Sequence, residues 1–344
     1  MRHSSETLGV DRVIDPPGAL PQRADRIDGG PPLRPRELEI DVERLCLDST
    51  SFRQISEAAG GKPEVIAASI EEVIADRGKM HNPVTGSGGV LVGTVRAVGE
   101  GYIDPPPVGQ RIVTLASMTL TPLRVASVGP VDIRSPQVPA SGTAYLMESA
   151  PWTELPEDLP LSAVLAALDV CGAPTHVREL SKPGETVLVL GAGHAGKLAM
   201  AAARDSVGSE GVVIGVDADG ASCQRAEELG LCDQVLRTDL RDAMGTVEAL
   251  RSAAVDGADL TVVVVNATGC EAASILATKD EGTVLFFSMA TSFTAAALCS
   301  EGVSSRARML IGSGFSPDRG AYALDLLRRY PKILGDLSPA EGGA

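Results

Sequence analysis

Aromatic side chains are scarce in this chain: one Trp, four Tyr and five Phe stand among 344 residues. A core without rings has to be packed from small aliphatic groups. Ala, Val, Leu and Gly dominate the composition, which suits an α/β sheet covered by helices. Long apolar runs are also missing, since no stretch reaches 18 residues, and the first twenty residues are polar with scattered charges and two prolines. No membrane span and no signal peptide are therefore expected, and the sequence reads as a cytoplasmic protein. Basic residues are in deficit, 30 against 45 acidic, for a formal charge of −15. That balance repels nucleic acid and anionic membranes and favours a small cationic or zwitterionic partner. Cysteine is limited to positions 46, 171, 223, 232, 270 and 299, with no Cys-x-x-Cys pair, so reduced, buried thiols are expected.

What is present is most specific between Thr186 and Asp217. An apolar run, Thr-Val-Leu-Val-Leu, leads into Gly191-Ala-Gly193-His-Ala-Gly196, then a small-residue helix, then a second apolar run closed by Asp217. This is the pattern of a dinucleotide-binding βαβ unit. Gly191 permits the tight turn, Gly193 lets the backbone approach a pyrophosphate, and Gly196 lets the helix pack closely on the strand. His194 and Ala195 open the helix, whose unpaired N–H groups and positive dipole end favour an anion there. Asp217 can accept from both ribose hydroxyls and repels a 2′-phosphate, and no basic residue immediately follows it. The expected cofactor is therefore NAD and not NADP. Asp219 is suited to cap the next helix.

The length suits two domains at a prior of about 150 residues each, and the texture changes near residue 160. From 161 to 344 the pattern continues as a doubly wound parallel sheet. Further strands are predicted at Cys232–Leu236, Leu260–Asn266, Thr283–Ser288 and Arg308–Gly312, with a helix through Thr246–Ser252 and a closing helix at Arg319–Arg329. Asn266, Thr268, Ser288 and Met289 then lie at strand carboxyl ends, either as nicotinamide-side contacts or as plain loop residues. From 1 to 160, Pro and Gly punctuate short β-like runs at Leu38–Val42, Val90–Val98 and Gln110–Leu115, arguing for a largely antiparallel β domain. A helical stripe, Val65, Ile66, Ile70, Val73 and Ile74, interrupts it at Pro63–Arg77 and reads as a packing helix. His3 carries no argument.

Leu91-Val-Gly93-Thr-Val95-Arg-Ala-Val98-Gly99 and Val108-Gly-Gln-Arg-Ile-Val113 resemble two conserved-pattern segments of the medium-chain dehydrogenase/reductase superfamily. The resemblance implies a Rossmann domain preceded by a β-rich GroES-like domain. Lys79-Met-His81 through Gly89, Leu276–Asp280 and Phe286–Phe293 are more narrowly similar to the 3,5-diaminohexanoate dehydrogenase family of bacterial lysine fermentation. Where zinc-dependent superfamily members carry Gly-His-Glu, this chain has Gly88-Gly89-Val90. Cys46 and Cys171 fall near the outer ligand positions, but two thiolates without a third ligand make a poor catalytic zinc site, so no metal is expected.

The family likeness implies NAD-dependent oxidative deamination of L-erythro-3,5-diaminohexanoate to 5-amino-3-oxohexanoate, with ammonium and NADH. Hydride leaves C3 only once its amine is neutral, so the site needs a general base and an acidic partner for the second ammonium. His81 fits the first task by its ordinary pKa, with Lys79 as the substitute. Asp169, in Leu-Asp-Val-Cys-Gly-Ala-Pro-Thr, resembles the superfamily's turn beside the nicotinamide and is the first choice among the acids. Asp48 and Glu148 are the other candidates, although Asp48 also suits a helix cap and Glu148 a solvated strand end. Lys79 and the segment holding Thr85 and Ser87 are candidates for the substrate carboxylate, or the glycines there only bend a strand. His176 follows the same turn. Two other readings share both domains: a zinc-free reductase acting on a quinone or activated alkene, and a non-catalytic NAD-binding protein. A homodimer through the last sheet strand follows from the superfamily resemblance alone.

Overall fold

The computed structural model describes residues 4–312 and 316–338; His3 lies outside them. The chain divides into two compact units, Met1–Asp169 and Val170–Ala344. In the first, α1 (Ser5–Leu8), β1 (Val13–Asp15) and β2 (Arg26–Ile27) precede β3 (Glu37–Cys46), α2 (Ser49–Ala58) and α3 (Pro63–Arg77). Then come β4 (Val90–Val98), β5 (Arg111–Thr114), β6 (Leu123–Val128), β7 (Gln137–Met147), β8 (Trp152–Glu154) and α4 (Leu161–Leu168). The main sheet runs β6-β7-β3-β4-β5-β8, and each of its pairings is antiparallel. α3 buries Ile66, Ile70 and Ile74, one residue per turn, into the same core as Leu38, Ile40 and Leu91.

The second unit carries α5 (Gly172–Leu180), β9 (Thr186–Leu190), α6 (His194–Val207), β10 (Val212–Asp217), α7 (Gly220–Leu229), β11 (Gln234–Arg237) and α8 (Ala243–Ser252). It closes with β12 (Ala258–Val263), α9 (Glu271–Leu276), β13 (Thr278–Phe286), α10 (Phe293–Gly302), β14 (Arg308–Ile311), α11 (Arg319–Arg329) and α12 (Pro331–Leu337). Its strand order is β11-β10-β9-β12-β13-β14, all parallel. This is the doubly wound order with its switch point between β9 and β12. No helix among the described residues is long and apolar enough to cross a membrane.

Several boundaries differ from the sequence reading, each for a local reason. β12 stops at Val263 and not at Asn266, because the Val264 and Val265 N–H groups both turn to donate to Leu190 O, at 3.0 and 2.8 Å. β11 starts two residues late because Asp233 Oδ2 is drawn to Val213 N–H at 2.7 Å. β7 is unannounced in the sequence, its eleven residues including Pro139, Ser141 and Gly142. Gly142 is required there, since a Cβ would stand 2.1 Å from Arg124 O. α4 belongs with the first unit, whereas the sequence reading began the second domain at 161. α12 has no counterpart in that reading.

The amino-terminal strap is fixed by one buried cation. Arg12 is fully enclosed, stacks 4.1 Å from the Tyr145 ring centroid, and donates Nε and Nη2 to the two Glu37 carboxylate oxygens at 2.7 and 2.6 Å. Its other donors reach the carbonyls of Asp28, Gly30 and Pro32, so the guanidinium fork is satisfied throughout. Glu37→Gln removes the countercharge from an enclosed guanidinium. It is expected to cost about 3–5 kcal/mol in urea unfolding, and a loss below about 1 kcal/mol would show that the carbonyls alone suffice.

Candidate active site

In the second unit, the turn after β9 is shaped by close backbone approach. Gly191 has φ 110° and a Cβ there would stand 2.7 Å from Val265 N, while a Cβ on Gly196 would stand 1.9 Å from Gly191 O. At Gly193 a Cβ would meet no protein atom, leaving that side of the turn open for a ligand's phosphates. Gly193 is also the N-cap of α6 and offers no side-chain hydrogen bond, so the first N–H groups of the helix, at His194, Ala195 and Gly196, keep their donors for an anion. His194 is exposed on that first turn.

Asp217 ends β10 beside this turn. Its Oδ2 accepts from Ala192 N at 2.8 Å and its Oδ1 from Asp219 N at 2.9 Å, which fixes the carboxylate while leaving lone pairs for ribose hydroxyls. Asp219 caps α7 through Ser222 N. Asn266, Thr268 and Met289 are exposed and Ser288 half-buried, in loops that follow β12 and β13 on the same carboxyl edge as the glycine turn. His176 sits half-buried with Nδ1 3.5 Å from Glu179 Oε2. Sequence reasoning missed Asp336 of α12, which accepts from Lys197 on α6 and Arg225 on α7 and ties the carboxyl-terminal helix to both helices flanking Asp217. Spacings of more than a hundred residues left no local signal.

In the first unit, Asp48 acts on Asp169, and both acids act on Cys46. Burial, reinforced by the Asp48 charge, raises the Asp169 carboxyl to about 7. Burial and both carboxylates also push the Cys46 thiol well up, which keeps it protonated. Asp48 Oδ1 caps α2, accepting from Thr50 and Ser51 N–H at 3.1 and 3.0 Å, while its buried Oδ2 has no hydrogen-bond partner. An unpaired buried carboxylate oxygen is costly in the free protein and ready for a cationic donor.

The loop after α3 lies close by. Ser51 Oγ pairs with Thr85 Oγ1, Asn82 Nδ2 donates to Gln54 Oε1 at 2.9 Å, and Asn82 Oδ1 accepts from Val84 and Thr85 N–H, pinning the loop to α2. Ser87 contributes its carbonyl to Asn82 N–H and its N–H to Thr85 Oγ1, so both residues shape the loop. His81 does not have the near-neutral pKa expected of it. Burial, then the charges of Lys79 and Arg77, lower it to about 4, and its buried Nδ1 has no partner. At neutral pH it is an uncharged imidazole, too weak a base to take a proton from an ammonium. Lys79 is lowered to about 8 by burial and Arg77, but it is fully enclosed with Nζ donating to Pro21 O at 2.6 Å, so it supplies positive potential and not contact. Glu148 also leaves the site, since both its oxygens accept from Arg36 at 3.1 and 3.0 Å.

A family model described as L-erythro-3,5-diaminohexanoate dehydrogenase N-terminal domain matches residues 11–156. The chain is 42% identical over 328 residues to a protein named L-erythro-3,5-diaminohexanoate dehydrogenase from Acetoanaerobium sticklandii, covering 93% of this chain and 94% of that one. It is 41% identical over 327 residues to one of the same name from Fusobacterium nucleatum, with the same coverage. The chain belongs to the L-erythro-3,5-diaminohexanoate dehydrogenase family.

Among solved structures, a mycobacterial quinone oxidoreductase aligns at TM-score 0.56 with 18% identity, over 90% of this chain and 83% of that one. CurK enoyl reductase aligns at 0.54 with 16% identity, over 90% and 79%. These likenesses establish the fold of this family member as that of the medium-chain dehydrogenases and reductases. The imidazole of the Gly-His-Glu pattern would stand where this family member has Gly89, and a Cβ there would lie 2.0 Å from Cys46 O, so that side chain has no room. Among the described residues no group of three or more His, Cys, Asp or Glu forms a metal-binding cluster.

The glycine geometry separates folding from binding. Gly196→Ala, blocked by backbone, is expected to lower the melting temperature by several degrees. Gly193→Ala is expected to keep the melting temperature and weaken dinucleotide binding roughly tenfold. Equal melting losses in both variants would refute the assignment of the open face at Gly193.

Proposed function

We propose that this chain catalyses the NAD-dependent oxidative deamination of L-erythro-3,5-diaminohexanoate to 5-amino-3-oxohexanoate, releasing ammonium and NADH. The observation that carries this reading is the Asp169 carboxyl at about 7, paired with an Asp48 oxygen that has no partner. Such a pair gives the chemistry a base for one amine and an anion for another. When bound, the nicotinamide accepts hydride, and the second unit would hold it through the Gly191–Gly196 turn and Asp217. Ionised Asp169 takes a proton from the C3 ammonium, which restores the lone pair needed at nitrogen. Loss of hydride from C3 gives the substrate iminium, water adds at C3, and ammonium leaves as the C–N bond breaks. The atoms balance with one proton left on the base. Asp48 Oδ2 receives an ammonium of the substrate. The enclosed Lys79 charge, on the loop joined to α2 through Ser51 and Thr85, supplies positive potential that suits the carboxylate end.

Asp217 supports NAD as the preferred cofactor by its position and charge. A cytoplasmic setting agrees with six cysteines that form no disulfide among the described residues. A homodimer is supported by β14, an edge strand whose Met309, Leu310 and Ile311 are 39%, 39% and 61% exposed. An apolar edge strand left open, even one this short, invites pairing with a second copy.

Two measurements check this reading. NADH formation with 3,5-diaminohexanoate is expected, with kcat/KM falling about tenfold per pH unit below about 7 as Asp169 is protonated. Asp169→Asn should erase that limb and lower kcat by about 10²–10⁴-fold. Turnover only of a quinone or enone would transfer the chain's chemistry to the reductase class. In sedimentation, a mass of twice the 35.5 kDa chain is expected, with Leu310→Lys shifting it to monomer; a wild-type monomer would refute the edge pairing.

A further inference from the structure

The register of the second sheet brings a cation to the acid that reads the ribose. Arg237, the last residue of β11, lies directly opposite Asp217 in the β10–β11 ladder, and Thr238 N donates to Asp217 O at 3.1 Å. Arg237 Nε donates to Ala218 O at 3.2 Å. This turns the guanidinium over the backbone at Gly220, where a Cβ would stand 3.2 Å from Nη1 and 3.3 Å from Cζ. The missing side chain at Gly220 is what leaves room for it. Among the described residues only Nε is hydrogen-bonded, and the exposed side chain keeps both terminal NH₂ groups as donors. The two acids nearby are already engaged: Asp217 by Ala192 and Asp219 N–H, and Asp219 by Ser222 N and Oγ.

We propose that Arg237 is a specificity-determining residue at the adenosine ribose, one that offers a 2′-phosphate a cation and so lets this site take NADPH as well as NADH. The proposal rests on the dinucleotide reading of the Gly191–Asp217 unit. Asp217 alone would repel a 2′-phosphate, but the guanidinium beside it supplies the paired donors that bind phosphate oxygens. Discrimination is then a balance of two fixed charges of opposite sign and not the outcome of one.

The test is binding of NADH and NADPH to the full chain, followed by nicotinamide fluorescence. Wild type is expected to bind both, with NADPH weaker and more salt-sensitive. Arg237→Gln should weaken NADPH at least roughly tenfold more than NADH, and Arg237→Lys should restore part of the loss. Asp217→Asn should move the ratio the other way, towards NADPH. NADH binding without measurable NADPH binding in wild type overturns the proposal and leaves the dinucleotide site standing. Equal weakening of both by Arg237→Gln also overturns it, since the residue would then act only by bracing Ala218. Failure of wild type to bind either one overturns the dinucleotide reading and the proposal with it.

Discussion

Backbone carbonyls lie against glycine Cα atoms at the loop after α3 in the first unit and at the turn after β9 in the second. In the first unit Gly89 lies over Cys46 O and Gly88 over Met80 O, at separations that leave no space for a side chain. That contact holds the 79–89 loop against the end of β3, from which Cys46 and Asp48 project. In the second unit Gly196 lies over Gly191 O, which seats α6 on the turn after β9 and points its first N–H groups at the phosphate position. A chain this poor in aromatic residues has few large rings to hold its elements apart, so at these points backbones come into direct contact and small residues decide where.

Burial then sorts the ionisable groups. The same desolvation raises Asp169 towards neutrality and lowers His81 far below it, because removing water disfavours whichever form is charged. Neighbouring charges add to each shift: Asp48 acts on Asp169, and Lys79 and Arg77 act on His81. The outcome is an acidic group and an electropositive group of residues joined through α2 and the Ser51–Thr85 contact. This division of charge matches a substrate with two ammonium groups and one carboxylate. The carboxyl pair, and not the imidazole, therefore holds the group that titrates near neutrality.

Much of this was legible in the sequence. β4 and α3 occupy the spans that periodicity predicts, because alternation and a three-to-four residue stripe are local properties. The glycine turn was legible because each glycine has a task set by its immediate neighbours. Asp217 stands out in the sequence by its place at the end of the second apolar run, and Asp48 and Asp169 stand out as candidate acids. The pKa of His81, the enclosure of Lys79 and the pairing of Glu148 with Arg36 could not, since each depends on residues distant in the chain. Pro139 and Gly142 disguised β7 for the same reason: their neighbours, not their propensities, make them strand residues.

The sequence by itself determined the class of the two folds, the dinucleotide turn and the acid that follows it, because these are written in contiguous patterns of size and polarity. Tertiary structure alone decided which acid titrates near neutrality, which cation is enclosed, and that Arg237 stands beside Asp217, which no basic residue immediately follows in the chain. Those outcomes are sums of desolvation and charge over three-dimensional neighbours, and a one-dimensional pattern does not contain the distances that set them.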